Sequence, residues 1–171
     1  MNWAQRVRSR LTQTQVQESL RIAARDVVVE MGERIFERGE DANGDRIGEY
    51  STRPIYIAVA DMPRRVSGTR SSATSVYFAG GYDQFKKELG YDRVNWRLFG
   101  NLMRDFVTPK ETIEGNSIKL GLKNEENSEK LDKLKRQYGE NVVQLSQSER
   151  ETMTKVFNFE LQKRIFEDGF G

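Results

Sequence analysis

The stretch Val94-Asn95-Trp96-Arg97-Leu98-Phe99-Gly100-Asn101-Leu102-Met103-Arg104-Asp105-Phe106 changes its hydrophobic period halfway along. Val94, Trp96 and Leu98 alternate with Asn95 and Arg97, the period of a strand with one buried face. Phe99, Leu102, Met103 and Phe106 then fall at i, i+3, i+4 and i+7, one face of a short helix. Gly100 sits where such a strand has to turn. The spacing predicts a strand feeding a helical turn, held in the core by Trp96, Leu98, Leu102 and Phe106. The rest of the chain then has to supply what packs on it.

A length of 171 residues suits one domain, 1–171. With 36% hydrophobic and 32% charged residues the chain is polar but foldable. A net charge of +2 gives a nucleic-acid role no support from global charge. No apolar run approaches the ~18 residues of a transmembrane helix. The opening Met1-Asn2-Trp3-Ala4-Gln5-Arg6 lacks the apolar core of a signal peptide. Cysteine and histidine are both absent, which removes disulfides, thiol nucleophiles, cysteine–histidine zinc sites and histidine-based catalysis. Chemistry would have to run on carboxylates, lysine, serine or tyrosine. The expectation is a protein that is not an enzyme and carries no cofactor.

Residues 1–12, with Arg6, Arg8 and Arg10, read as a basic, flexible arm. Thr14-Gln15-Val16-Gln17 has the pattern of a capping box. The helix it opens carries Val16, Leu20, Ala23, Ala24, Val27, Met31 and Ile35 on one stripe. A second seam, Ile22, Val29 and Phe36, recurs every seven residues off that stripe. Such a helix is either sandwiched inside its own fold or met by a neighbouring copy. The C-terminal helix, opened by the capping box Ser146-Gln147-Ser148-Glu149, repeats the pattern. Met153, Val156, Phe157, Leu161 and Ile165 form its broad face, while Phe159 and Phe166 lie off it. Phe170 is read as a loose aromatic tail.

Between the terminal helices, Asp41, Asn43 and Asp45 resemble the start of a calcium loop, but Arg46 stands where that loop needs glycine. Asn43-Gly44 reads better as a tight turn. Ile55, Tyr56, Ile57 and Val59 suggest a short extended segment. Residues 61–75 read as an exposed mobile loop whose Arg64, Arg65 and Arg70 could touch phosphate or a partner. A short helix is expected from Asp83 to Leu89, stopped by Gly90. Val107–Ile113 and Ser117–Leu122, around Glu114-Gly115-Asn116, read as a hairpin with Pro109 near its edge. A charged helix follows, capped by Asn127 or Ser128 and ended by Gly139.

Taken in order, these motifs resemble the phage virion-morphogenesis or tail-completion proteins, small neck and tail-terminator components. The family's F-x-x-G-x-D-x-x-G segment is matched by Phe36-Glu37-Arg38-Gly39-Glu40-Asp41-Ala42-Asn43-Gly44, followed by Tyr50-Ser51. Its L-x-x-T-G-x-L-x-x-S motif is matched at Gly100 and Leu102, with Trp96, Phe99 and Asp105 standing in for leucine, threonine and serine. The likeness runs over about residues 14–166. It implies an α+β fold: a small antiparallel sheet with a long N-terminal helix and a C-terminal helix packed against it. It also implies a structural virion protein, assembled in the host cytoplasm, that forms a head–tail connector ring with other neck and tail proteins. Such a ring leaves room for DNA passage without specific DNA binding. It implies no catalytic residues, no small-molecule substrate and no membrane. A head-to-tail ring needs two different sticky surfaces per subunit. Ile22, Val29 and Phe36 on one helix and Phe159 and Phe166 on the other are the candidates. Two readings compete. One is a small nucleic-acid-binding regulator using Arg6, Arg8, Arg10, Arg64, Arg65 and Arg70. The other is a carboxylate enzyme built on Asp41, Asp45 and Glu49.

Overall fold

A computed structural model describes residues 12–63, 66 and 72–167. The order is α1 (Gln13–Gly32), a π-helical turn (Glu33–Arg38), β1 (Ile55–Ala58), a 3-10 turn (Val59–Asp61), β2 (Ser75–Phe78), α2 (Gly81–Glu88), α3 (Asn101–Val107), β3 (Lys110–Glu114), β4 (Ser117–Gly121), α4 (Glu125–Tyr138), a second 3-10 turn (Glu140–Val143) and α5 (Gln147–Glu167). The fold is α+β. Its strands form two separate antiparallel pairs, β1 with β2 and β3 with β4. Ile55 lies opposite Phe78 in one and Lys110 opposite Gly121 in the other. Neither pair gains a third strand, because 94–98 is not extended.

That stretch is the main correction to the periodic reading. Val94, Asn95 and Trp96 are all buried in succession, so there is no alternation. Trp96 sits at φ +47°, a left-handed conformation that ends any strand. Asn95 turns inward because its Oδ1 accepts from Tyr50 Oη, Lys86 Nζ and the Arg97 amide, each at 3.2 Å. The helix does form, but only from Asn101, with Gly100 at φ +80° before it and Phe99 left exposed. The stretch still organises the molecule. Val94, Trp96 and Leu102 join Ile35, Phe36, Ile47 and Val142 in one core, with Phe106 and Met103 against it. Leu98 packs on a second core of Met62, Val66, Phe78, Phe85 and Leu89.

α1 begins two residues earlier than expected. Thr12 Oγ1 accepts from the Gln15 amide, and the Gln15 side chain accepts from the Thr12 amide. Thr12 and Thr14 each stand three residues before a glutamine, so local chemistry does not choose between them. The earlier start leaves Gln17 to donate to Gly115 O at 2.9 Å, tying α1 to the β3–β4 turn. α1 packs along α5 and also touches α3 and β4. At its crossing with α3, a Cβ on Gly32 would come within 2.5 Å of Val107.

The α1 helix then widens into the π turn, where Arg34, Ile35 and Phe36 are buried one after another. It stops at Gly39, φ +66°, where any side chain would strike Val94 O. α4 is capped by Asn124, not by Asn127 or Ser128: Asn124 Oδ1 accepts from the Asn127 amide at 3.2 Å. Buried Asp105 fixes the entry to α4, accepting from the amides of Lys123 and Asn124 and from Asn127 Nδ2 at 3.0–3.1 Å. Burial pushes the Asp105 carboxyl up, but those three donors outweigh it and hold it below the usual carboxylate range. At the start of α5 the expected Ser146–Glu149 box forms, with both reciprocal hydrogen bonds present. In the 61–75 segment, Met62 and Val66 are buried in the second core and β2 already begins at Ser75.

Candidate functional site

The two helical seams separate in the structure. Phe36 is 0% exposed, edge-to-face with Phe106 at 5.5 Å, so it belongs to the core and not to an interface. The π turn carries it inward, which a heptad count assuming a regular helix cannot foresee. Ile22 is half-buried. Val29 remains 49% exposed and borders a shallow cleft with Val107 and Pro109. On α5, Phe159 and Phe166 are 64% and 63% exposed. Seven residues on a helix is about two turns, so the two rings share one face ~10 Å apart.

A second apolar surface escaped the sequence reading. Tyr56 and Tyr77 lie opposite each other across β1 and β2, ring centroids 4.9 Å apart. Both rings are exposed, and so is Ile55 on the opposite face of the ribbon. The signal was the unbroken run Ile55-Tyr56-Ile57, too apolar for a two-stranded ribbon with one wet face. An apolar cleft of about 440 Å³ also opens between α1 and β4, lined by Val28, Met31, Ile118 and Leu120 among others.

Asp41 serves its own turn. Its Oδ1 accepts from the amides of Asn43 (2.8 Å) and Asp45 (3.1 Å), and Oδ2 accepts from Asn141 Nδ2. Asp41 is buried, whereas Asn43, Asp45 and Glu49 face solvent. Both Asp41 oxygens are thus committed to the turn and its contact with Asn141. Among the described residues no cluster of three or more carboxylates could hold a metal ion. Among them, too, no helix is long and apolar enough to cross a membrane. Arg6, Arg8, Arg10, Arg64, Arg65, Arg70 and Phe170 lie outside the described residues.

Two buried cations were also missed, and they differ. All five N–H groups of Arg34 are used. Nε and Nη2 hold Glu149 at 2.7 and 3.2 Å, and the rest reach the carbonyls of Glu40, Val142 and Gln144 at 2.9–3.0 Å. The α5 capping box and the end of α1 are thus one joint. Arg34 falls seven residues after Val27, on the apolar stripe; a cation at that position was the signal. Lys86 falls four after Tyr82, likewise on the apolar face of α2. It is 1% exposed, and its Nζ donates to Asn95 Oδ1 and to Arg97 O. Its Nζ stands 4.3 Å from the centre of the Tyr91 ring and 5.1 Å from that of Tyr50. Burial, reinforced by like-charged Arg97, pushes the Lys86 ammonium down to about 8. Burial raises the Tyr50, Tyr82 and Tyr138 phenols. Lys86, Trp96, Tyr50, Tyr82 and Tyr138 line one pocket of about 380 Å³.

No protein-family model matches this chain, and no curated protein or solved structure matches it either.

Proposed function

We propose that this chain is a structural virion protein of the phage head–tail junction, a ring-forming neck or tail-terminator component that completes or joins the tail. The order of its motifs resembles that family. The observation that carries the reading is the exposed Phe159/Phe166 face of α5. The Tyr56/Tyr77 face of the β1–β2 pair supplies a second, different surface. Two unlike apolar faces on one subunit suit a head-to-tail interface, which closes into a ring when the rotation allows.

The magnitudes bear on when a ring forms. Burying two phenylalanine side chains contributes about 3–6 kcal/mol. Association costs an estimated ~4–15 kcal/mol in lost freedom and ordering. The aromatic face alone does not hold two free copies together tightly, so the ring forms on the tail or connector, where several contacts act at once. The test is sedimentation of the purified chain alone and with tail tube of its phage. The reading expects weak self-association alone and a defined oligomer on the tube. A monomer in both conditions counts against it.

A further inference from the structure

We propose that the pocket over Lys86 is a binding site for a carboxylate, carried by a free small acid or by an acidic side chain of another polypeptide. This goes beyond the assembly reading and does not depend on it. Lys86 is a cation almost wholly out of water, and neither of its hydrogen-bond partners is a carboxylate. The charge acting on it most is Arg97, of the same sign. A buried charge is costly unless paired, and removal of solvent strengthens any anion that reaches it. Arg34, in the same molecule, shows the paired alternative.

Trp96, which lines the same pocket, carries an unused donor. The indole Nε1 of Trp96 is buried and has no hydrogen-bond partner. Trp96 is 8% exposed, and its backbone is kept at φ +47°, which bulky side chains rarely adopt. Buried donors without acceptors are uncommon and call for an explanation. Lys86 has three N–H groups, and two go to Asn95 Oδ1 and Arg97 O. Lys86 and Trp96 line the same pocket, and each keeps an N–H that no oxygen of the protein accepts. A phosphate dianion fits less well: it wants more donors, and Arg97 on the rim is already held by Glu37 at 2.6 Å. The aromatic walls, Tyr50, Tyr82, Trp96 and Tyr138, favour an acid with a flat or apolar body.

The test follows the Trp96 indole N–H resonance in the full chain, assigned with Trp96→Phe so that Trp3 is not mistaken for it. The probes are sodium benzoate, its neutral analogue benzamide, the blocked peptide acetyl-Gly-Glu-Gly-amide, and inorganic phosphate. The expected result is a saturable shift with benzoate or the peptide at a Kd of about 1 mM or tighter. Benzamide should leave the resonance unmoved, and Lys86→Met should weaken binding at least about tenfold. A response to the peptide but not to benzoate assigns the carboxylate to a polypeptide partner; the reverse assigns it to a small acid. An unmoved resonance, an equal response to benzamide, or tighter binding of phosphate overturns the proposal. The benzoate–benzamide contrast on the unaltered chain decides the matter even if Lys86→Met does not fold.

Discussion

The second seams of α1 and α5 have the same spacing and opposite fates. On α1, Phe36 disappears into the core and Ile22 is half covered, while only Val29 stays exposed. On α5, Phe159 and Phe166 both stay exposed. The difference lies in what surrounds each helix. α1 packs on α5, α3 and β4, and its last turn is re-aimed by the π geometry. α5 makes its main contact on α1 alone. A heptad seam therefore reports surplus apolar surface; whether the surplus is covered inside the subunit depends on how many neighbours the helix has.

The comparison can be broken at its strongest point first. Arg34→Met leaves Glu149 buried without its cation and should cost about 3–5 kcal/mol, measured by urea unfolding. The double variant Arg34→Met/Glu149→Leu should recover part of that loss: both charges are gone, but the carbonyls of Glu40, Val142 and Gln144 still lack their donor. Phe36→Ala should cost about 3–5 kcal/mol in the same assay, as expected for a fully buried aromatic. Phe159→Ala and Phe166→Ala should stay within about 0.5 kcal/mol of the parent, since neither ring is covered in the subunit. Equal destabilisation by Phe36→Ala and Phe159→Ala would erase the distinction between the two seams.

A smaller effect sharpens the contrast between the two buried cations. Lys86 is pushed down to about 8 from its ordinary 10.5, so between those values the unfolded chain holds a proton that the folded chain has released. Stability should rise with pH through that window. Tyr50 is raised above its ordinary 10.0, so above that pH the unfolded chain loses a phenol proton that the folded chain keeps, and stability should fall. Chemical denaturation across the alkaline range should show a maximum near pH ~10. Lys86→Met should abolish the rising limb and leave the falling one.

Much of the fold was legible because it rests on local rules. The Ser146–Glu149 box, the β3–β4 hairpin and the stripe Ala23, Ala24, Val27, Met31 and Ile35 all stand where spacing put them. The failures came where one side chain overrode a period. Asn95 was assigned outward by alternation, yet three donors converge on its amide oxygen. Arg34 and Lys86 looked like ordinary charged residues because a sequence does not show the distant carbonyls and rings that receive them. Of the candidate interface residues, Phe159, Phe166 and Val29 keep the exposure an interface needs. Phe36 does not, and the Tyr56/Tyr77 face was found only when β1 and β2 were seen to pair.

The measurement closest to the proposed ring assembly is the sedimenting mass of the chain mixed with phage tail tube, compared with that of Phe159→Glu/Phe166→Glu. The account predicts a discrete ring for the parent and none for the variant, with both chains equally folded by circular dichroism. A ring that forms equally well with both phenylalanines replaced by charge would contradict it.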